Sequence, residues 1–562
     1  MVLKARYKVD EQNVPKYSGL TGKRLNIAIS VIATSGFLLF GQYRSIFVCD
    51  YTLTRKPGYD QGVMSGIITG EDFNNYFPQT KNNATWQAFV TAIYEIGCLF
   101  GAIFSLIFAD RVGRRRSIVL GAAIMVVGVL IQITAFTGHS PTAQFLIGRV
   151  VTGVGNGINT STIPTYQAEC SKSHNRGLLI CIEGGVIAFG TLIAYWIDYG
   201  ASYGPSGLTW RFPIAFQIVF GLIIAIAMIW LPESPRWLLS KDRTEEATVV
   251  LAALAGESKD HDDVKLQMGI IVDSIRASGH SSGSTPYSAL FTGGKTQHFR
   301  RMMLGVSSQF FQQIGGCNAV IYYFPLLFQQ SVGTSHNLAL LLGGVNMIVY
   351  AVTATVSWFL IERVGRRKLF IIGSVGQSLS MVLAFACLIP GTPSAAIGAG
   401  VAFFLYIGFF GATWLPLPWL YAAEINPVKT RARANAVSTV SNWLWNFTVV
   451  MFTPPFVASS AWGAYLFFAV VNILFVPVIY FFYPETARRS LEEIDLIFAK
   501  GYIEKMNYVR AAKDLPHMTE QEVEVKAREY GFVSDDEEAG GHTKARFGEK
   551  EDDLAPNAGG LM

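Results

Sequence analysis

Asp110-Arg111-Val112-Gly113-Arg114-Arg115-Arg116 recurs 252 residues later as Glu362-Arg363-Val364-Gly365-Arg366-Arg367-Lys368. At the same spacing Pro232-Glu233-Ser234-Pro235-Arg236 returns as Pro484-Glu485-Thr486-Ala487-Arg488. A third pair, Ala168-Glu169 followed by Arg176, answers to Ala423-Glu424 followed by Arg431, 255 residues on. Self-similarity kept over such a distance is the mark of a duplicated unit.

Outward from these loops the chain is dominated by apolar runs, near residues 26–41, 88–109, 117–136, 143–165, 178–199, 210–231, 302–330, 337–361, 368–389, 396–422, 434–457 and 461–483. Most reach the roughly 20 residues that span a bilayer as helix. Hydrophobic residues make up 51% and charged residues 15%, against roughly 25% charged for a soluble domain, so the expected solvent is lipid. Only helices or a closed barrel satisfy their own backbone in hydrocarbon, and the period-2 alternation of a barrel is missing. The expected fold is therefore an all-α membrane protein of twelve transmembrane helices.

The formal charge of +5 matters less than its placement. Lys and Arg gather in alternate loops, at 111–116, 172–176, 363–368 and 429–433, while loops 71–86 and 390–395 are nearly free of them. The positive-inside rule puts the basic loops in the cytoplasm, and an even number of spans puts both termini there too. Because the charges point the same way in both halves, the repeat is parallel, with a substrate site between the halves near mid-membrane. The division reads as a cytoplasmic N-terminus at 1–25, a six-helix half at 26–231, a linker with short amphipathic helices at 232–301, a second half at 302–483, and a tail at 484–562 that becomes disordered toward its acidic, Gly-rich end.

Six cysteines lie without metal-ligand or paired spacing, and no nucleophile triad or phosphate loop stands outside the spans, so neither an enzyme nor a cofactor is expected. The residues before 26 lack an apolar h-region, which excludes a cleaved signal peptide as the reading. Asn83-Ala84-Thr85 is a glycosylation sequon in the first outer loop.

The ordered set of the two Arg-Val-Gly-Arg-Arg loops, Gly148-Arg149, Pro164-Thr-Tyr-Gln-Ala-Glu169, Pro232-Glu-Ser-Pro-Arg236, Gln312-Gln313 with Asn318, Tyr322-Tyr323 and Pro484-Glu485-Thr486 resembles the sugar porter family of major facilitators, from about residue 26 to 495. The resemblance implies a carrier of a small polyhydroxylated solute, a sugar or polyol, working as a monomeric unit in the lipid bilayer, with no nucleic-acid partner. It carries the family's solute-binding amides onto Gln312, Gln313, Asn318, Asn346 and Asn446, and its aromatic floor onto Trp419. Trp414, Trp443 and Trp445 are expected to pack. Glu169, Arg176, Glu233, Arg236, Glu424 and Arg431, with Arg114, Arg115, Arg366 and Arg367, become candidate gates that pair across the halves in one conformation and part in the other; the plainer reading of the arginines is topology.

Asp60, in Gly58-Tyr59-Asp60-Gln61-Gly62, is the carboxylate assigned to proton coupling, with Arg149 as its partner, since an intramembrane acid is costly and functional by default. Glu183 stands where sugar-binding members place glutamine, and its surroundings resemble a fungal branch that includes a glycerol/proton symporter. Leu415 replaces the usual Gly before Pro416. The first span is also interrupted, since residues 42–58 separate Gly36-Phe-Leu-Leu-Phe-Gly41 from Tyr59 and carry Arg44, Asp50, Arg55 and Lys56. A retained intron and a genuine insertion are the two readings of that stretch. The functional alternatives are a facilitative hexose or pentose uniporter, a nutrient sensor with a transporter's body, and, if the insertion is genuine and displaces Asp60, a non-transporting product.

Overall fold

The structure is a computed structural model that describes residues 7–10, 14–17, 19–40, 60–136, 140–170, 176–277, 287–427, 430–518 and 520–531. A hairpin of β1 (Tyr7–Val9) and β2 (Pro15–Tyr17) opens the chain. The first half comprises α1 (Gly22–Phe40), α2 (Asp60–Ile67), the short α3 (Glu71–Tyr76), α4 (Ala84–Val112), α5 (Arg114–Ile133), α6 (Pro141–Cys170), α7 (Arg176–Ala201) and α8 (Leu208–Trp230). The connecting segment carries α9 (Pro235–Leu239), α10 (Thr244–Ala255) and α11 (Asp262–Ala277). The second half follows as α12 (His298–Ile314), α13 (Cys317–Leu327), α14 (His336–Val364), α15 (Arg366–Leu388), α16 (Pro393–Phe409), α17 (Leu417–Ile425), α18 (Arg431–Ser459) and α19 (Ala461–Phe482). Three tail helices close the described chain, α20 (Leu491–Ile503), α21 (Tyr508–Asp514) and α22 (Glu520–Glu529).

Counting α1 with α2, α12 with α13 and α16 with α17 as single spans, each half has six. Among the described residues, seven stretches are long and apolar enough to cross a bilayer by length and composition alone. Among the remaining spans, α6 and α18 carry buried polar side chains, such as Asn156 and Asn159 in α6 and Asn442 and Asn446 in α18. Polar groups inside a bilayer protein face the bundle interior, where function lies. The residues of the expected insertion, 42–58, fall outside the described part.

Helix starts follow ordinary capping chemistry. Asn83 accepts from the Trp86 N–H to begin α4, Ser460 caps α19, and Thr392 with Pro393 at the first helical position begins α16. Outside the spans Ser490 and Glu493 form a reciprocal capping box on α20. That helix is tied to the bundle by the Arg301–Asp495 ion pair at 2.5 Å.

The two halves meet along α4 against α18 and along α7 against α14, with α2 against α13. The repeat equates α4 with α14 and α7 with α18, so the first two contacts are one contact generated twice by the pseudo-twofold axis. Within the first half α4 and α6 approach at small residues, as expected where backbones must come close in lipid.

Two apolar runs that read as continuous in the sequence depart from regular α-helix. Span seven begins at His298, stops at Ile314, turns through Gly315 and Gly316, and resumes as α13, with a second non-helical residue at Tyr323. Span ten unwinds by one residue over Phe410–Trp414, where the Leu415 N–H reaches back to the Phe410 carbonyl at 3.0 Å, before Pro416 starts α17. Gly316 has φ +97°, and a Cβ there would stand 2.6 Å from the Phe468 ring. Gly316→Ala is therefore expected to lose about 1–3 kcal/mol from backbone strain and ring displacement. Thermal unfolding of purified protein reads this, and an unchanged midpoint would mean the break does not need the left-handed residue.

Candidate functional site

The break in span seven turns its amides inward. Gln312 Nε2 donates to the carbonyls of Trp414 and Leu415 at 2.8 and 3.0 Å, groups freed by the unwinding of span ten. Asn442 Nδ2 bridges Gln309 Oε1 at 2.6 Å and Gln312 Oε1 at 3.2 Å. Asn318 Nδ2 is shared between Gln313 Oε1 at 2.8 Å and Asn446 Oδ1 at 2.7 Å. These amides are all buried. Asn346 in α14 is fully buried, and neither its oxygen nor its nitrogen finds a partner among the described residues. A buried amide left unsatisfied costs about 1–3 kcal/mol, so such a side chain has free energy to gain from a polar ligand. Trp419 sits half-buried in α17. Trp414 packs, as expected, with its indole N–H toward the Phe370 carbonyl and Ser374.

Arg149 is buried in α6, donates to the Thr91 carbonyl at 2.9 Å and lies 4.7 Å over the Tyr94 ring. Asp60 is the first residue of α2 and Glu183 lies on α7, but the side chains of both, like that of Arg176, are outside the described part.

Several polar groups at the seam were missed by sequence reasoning. Glu95 of α4 accepts from the Tyr322 hydroxyl at 2.8 Å, across the halves. Tyr195 of α7 donates to the Ile321 carbonyl and accepts from Ser65 at 2.5 Å. Asp198 accepts from the Gly66 N–H at 3.2 Å. Glu95 and Asp198 could have been found by the rule that singled out Asp60, since both are acids inside apolar runs.

At the end that carries the arginine loops, the repeat becomes a physical symmetry. Arg114 forks onto Glu169 with both contacts at 3.2 Å, and Arg366 forks onto Glu424 at 3.1 and 2.7 Å. Ser234 donates to Glu169 at 2.5 Å as Thr486 does to Glu424 at 2.7 Å. Tyr166 and Tyr421 reach the carbonyls of Pro232 and Pro484. Glu233 and Glu485 cap α5 and α15 through backbone N–H groups. Glu233 accepts from the Arg115 N–H at 3.0 Å, and Glu485 from those of Arg366 and Arg367 at 2.8 and 3.1 Å. This needs glycine beneath each cap, because Gly113 and Gly365 have φ +98° and +93° and a Cβ would meet the glutamate oxygen at 2.7 Å in both. Burial pushes the Glu233 carboxyl above its ordinary range against the opposing backbone N–H groups and arginines.

These ion pairs close within each half, not across the halves. Arg367 instead caps the Tyr480 carbonyl at 2.7 Å, Arg431 the Asn426 carbonyl at 3.2 Å, and Arg236 is half-buried in α9.

Comparison with known proteins places this geometry. Residues 52–498 match the family model described as "Sugar (and other) transporter", which begins after α1. The chain is 47% identical to "Sugar transporter STL1" of Saccharomyces cerevisiae over 94% of its length and 90% of that protein's. It is 46% identical to "Major facilitator superfamily transporter mfsA" of Aspergillus fumigatus, over 92% of this chain and 94% of that one. Among solved structures, the proton:xylose symporter XylE bound to 6-bromo-6-deoxy-D-glucose superposes with a TM-score of 0.69 at 25% identity, covering 84% of this chain and 99% of that one. With the duplicated six-helix halves and the motif networks on which they close, these matches make the chain a member of the sugar transporter family of the major facilitator superfamily.

Proposed function

We propose that the protein imports a small polyhydroxylated solute, a sugar or a polyol such as glycerol, by alternating access coupled to proton entry. The observation that carries this reading is the buried amide cluster at the breaks of spans seven and ten. A solute rich in hydroxyls exchanges its water for fixed amide partners, and Gln313, Asn318, Asn346 and Asn446 supply both donors and acceptors. Gln312 holds span ten to span seven, so its part is to couple the cluster to the break. Trp419 gives the aromatic floor. Asp60 takes the proton and Arg149 is its counter-charge; neutralising the acid frees the pair and lets the halves rock. The arginine loops and both termini face the cytoplasm, the unit is a monomer, and the membrane is the plasma membrane.

The test is uptake of labelled glycerol, glucose and xylose in a transporter-deficient fungal host, with and without a protonophore, for the chain lacking residues 42–58 and for the full chain. Uptake abolished by the protonophore is expected. Sugar uptake that the protonophore leaves untouched would remove the coupling role of Asp60 and make the protein a facilitative carrier. Glu183 is the specificity position: Glu183→Gln is expected to lower the glycerol-to-glucose uptake ratio about tenfold, the size of effect one altered pocket group produces. An unchanged ratio takes Glu183 out of the pocket.

A further inference from the structure

We propose that Glu95 is a positioning residue that latches the movable part of span seven to the opposite half of the protein. It lies eleven residues into α4, about 16 Å from the helix start and so near mid-membrane. An acid at that depth is expensive to keep. Glu95 is 1% exposed and faces the second half, where the Tyr322 hydroxyl donates to its Oε1 at 2.8 Å.

Tyr322 belongs to the one segment of span seven with a break on each side, Gly316 before it and the non-helical Tyr323 just after. Such a segment can swing without disturbing α12. The neighbouring Tyr323 bonds within its own half, to the Val450 carbonyl at 2.9 Å, so the paired tyrosines divide between the two sides of the seam.

The latch is joined to the amides. Tyr322 lies one turn beyond Asn318 on α13, and Asn318 Nδ2 donates to Asn446 Oδ1 and Gln313 Oε1. Solute bound at the amides orients Tyr322 toward Glu95, and closure of the seam follows occupancy. This last link rests on the solute role proposed for those amides; the latch itself does not.

The full chain is examined in open membrane fragments, with Ala92→Cys as reporter. Ala92 is fully buried, one turn from Glu95, in the apolar cluster that joins the halves. Alkylation of Cys at this position by a maleimide reports opening of the seam, with the chain lacking the reporter as blank. Glu95→Ala and Tyr322→Phe are each expected to raise the labelling rate about tenfold, the scale of one buried hydrogen bond. The double variant should label no faster than either single one. Glu95→Gln, which keeps an acceptor oxygen, should stay within about twofold of the parent. Whichever of glycerol, glucose or xylose the parent takes up should slow labelling of the parent and not of Glu95→Ala. Labelling of Glu95→Ala at the parent rate, or single effects that multiply in the double variant, would overturn the latch. A parent that takes up none of the three solutes counts against the proposed transport function, while the labelling comparison still decides the latch.

Discussion

Arg149→Leu is expected to abolish concentrative uptake, lowering proton-driven accumulation at least about 100-fold. The guanidinium is 3% exposed, so nothing in the solvent can replace it. The Thr91 carbonyl and the face of Tyr94 help to orient it. The proposed counter-charge is Asp60 at the start of α2. Removing one member of a buried pair costs about 3–5 kcal/mol, because the other is left uncompensated, and each 1.36 kcal/mol is tenfold in rate. Arg149→Lys should recover little, since an ammonium lacks the planar fork that spans the carbonyl and the ring together. Asp60→Asn should behave differently: the pair is neutralised, so exchange of labelled for unlabelled solute persists while accumulation against a gradient stops. Reconstituted vesicles with an imposed pH difference separate the two measurements. An Arg149→Leu variant that still concentrates solute would show that the proton enters elsewhere, and Glu95 and Asp198 would be the next acids to replace.

The architecture was readable because the repeat leaves covalent evidence of itself. Two Arg-Val-Gly-Arg-Arg loops at one spacing require two equivalent halves, and lipid thickness then sets the length of each span. What hydropathy does not register is backbone direction. Gly315-Gly316 and Pro416 lie inside apolar runs, so spans seven and ten read as continuous, although their breaks turn Gln312 and Asn318 toward partners on other helices. The amides proposed to bind solute were located through family resemblance, whereas their pairings depend on contacts between distant parts of the chain. The pairing of Glu95 with Tyr322 is hidden for the same reason, since the two are 227 residues apart. Glu233 was assigned to side-chain switching, and Glu485 was recognised only as a motif member. Their capping of backbone N–H groups depends on the left-handed Gly113 and Gly365, a conformation that the letters Arg-Val-Gly-Arg-Arg permit without specifying.

The symmetry of the two arginine networks is imperfect, and the imperfection predicts unequal consequences. Arg366→Ala should destabilise the protein by about 3–5 kcal/mol, because Arg366 is 4% exposed and its loss leaves Glu424, 16% exposed, with Thr486 as its remaining side-chain hydrogen bond among the described residues. Against a total stability of about 5–15 kcal/mol, this variant should reach the membrane in reduced amount and unfold well below the parent temperature. Arg114→Ala removes the corresponding side chain, but Arg114 is 11% exposed and its contacts to Glu169 are longer, at 3.2 Å against 2.7 and 3.1 Å. Glu169 is 11% exposed against 16% for Glu424, so the difference rests on the guanidinium end: the more exposed arginine with the longer contacts makes the weaker pair, and the expected loss is smaller, by at least about 1 kcal/mol. Paired thermal unfolding of the two variants in detergent tests the difference. Equal losses would mean that residual water access does not set the strength of these pairs. If Arg366→Ala proves the milder change, the second half must repack around Glu424 more readily than its surroundings imply.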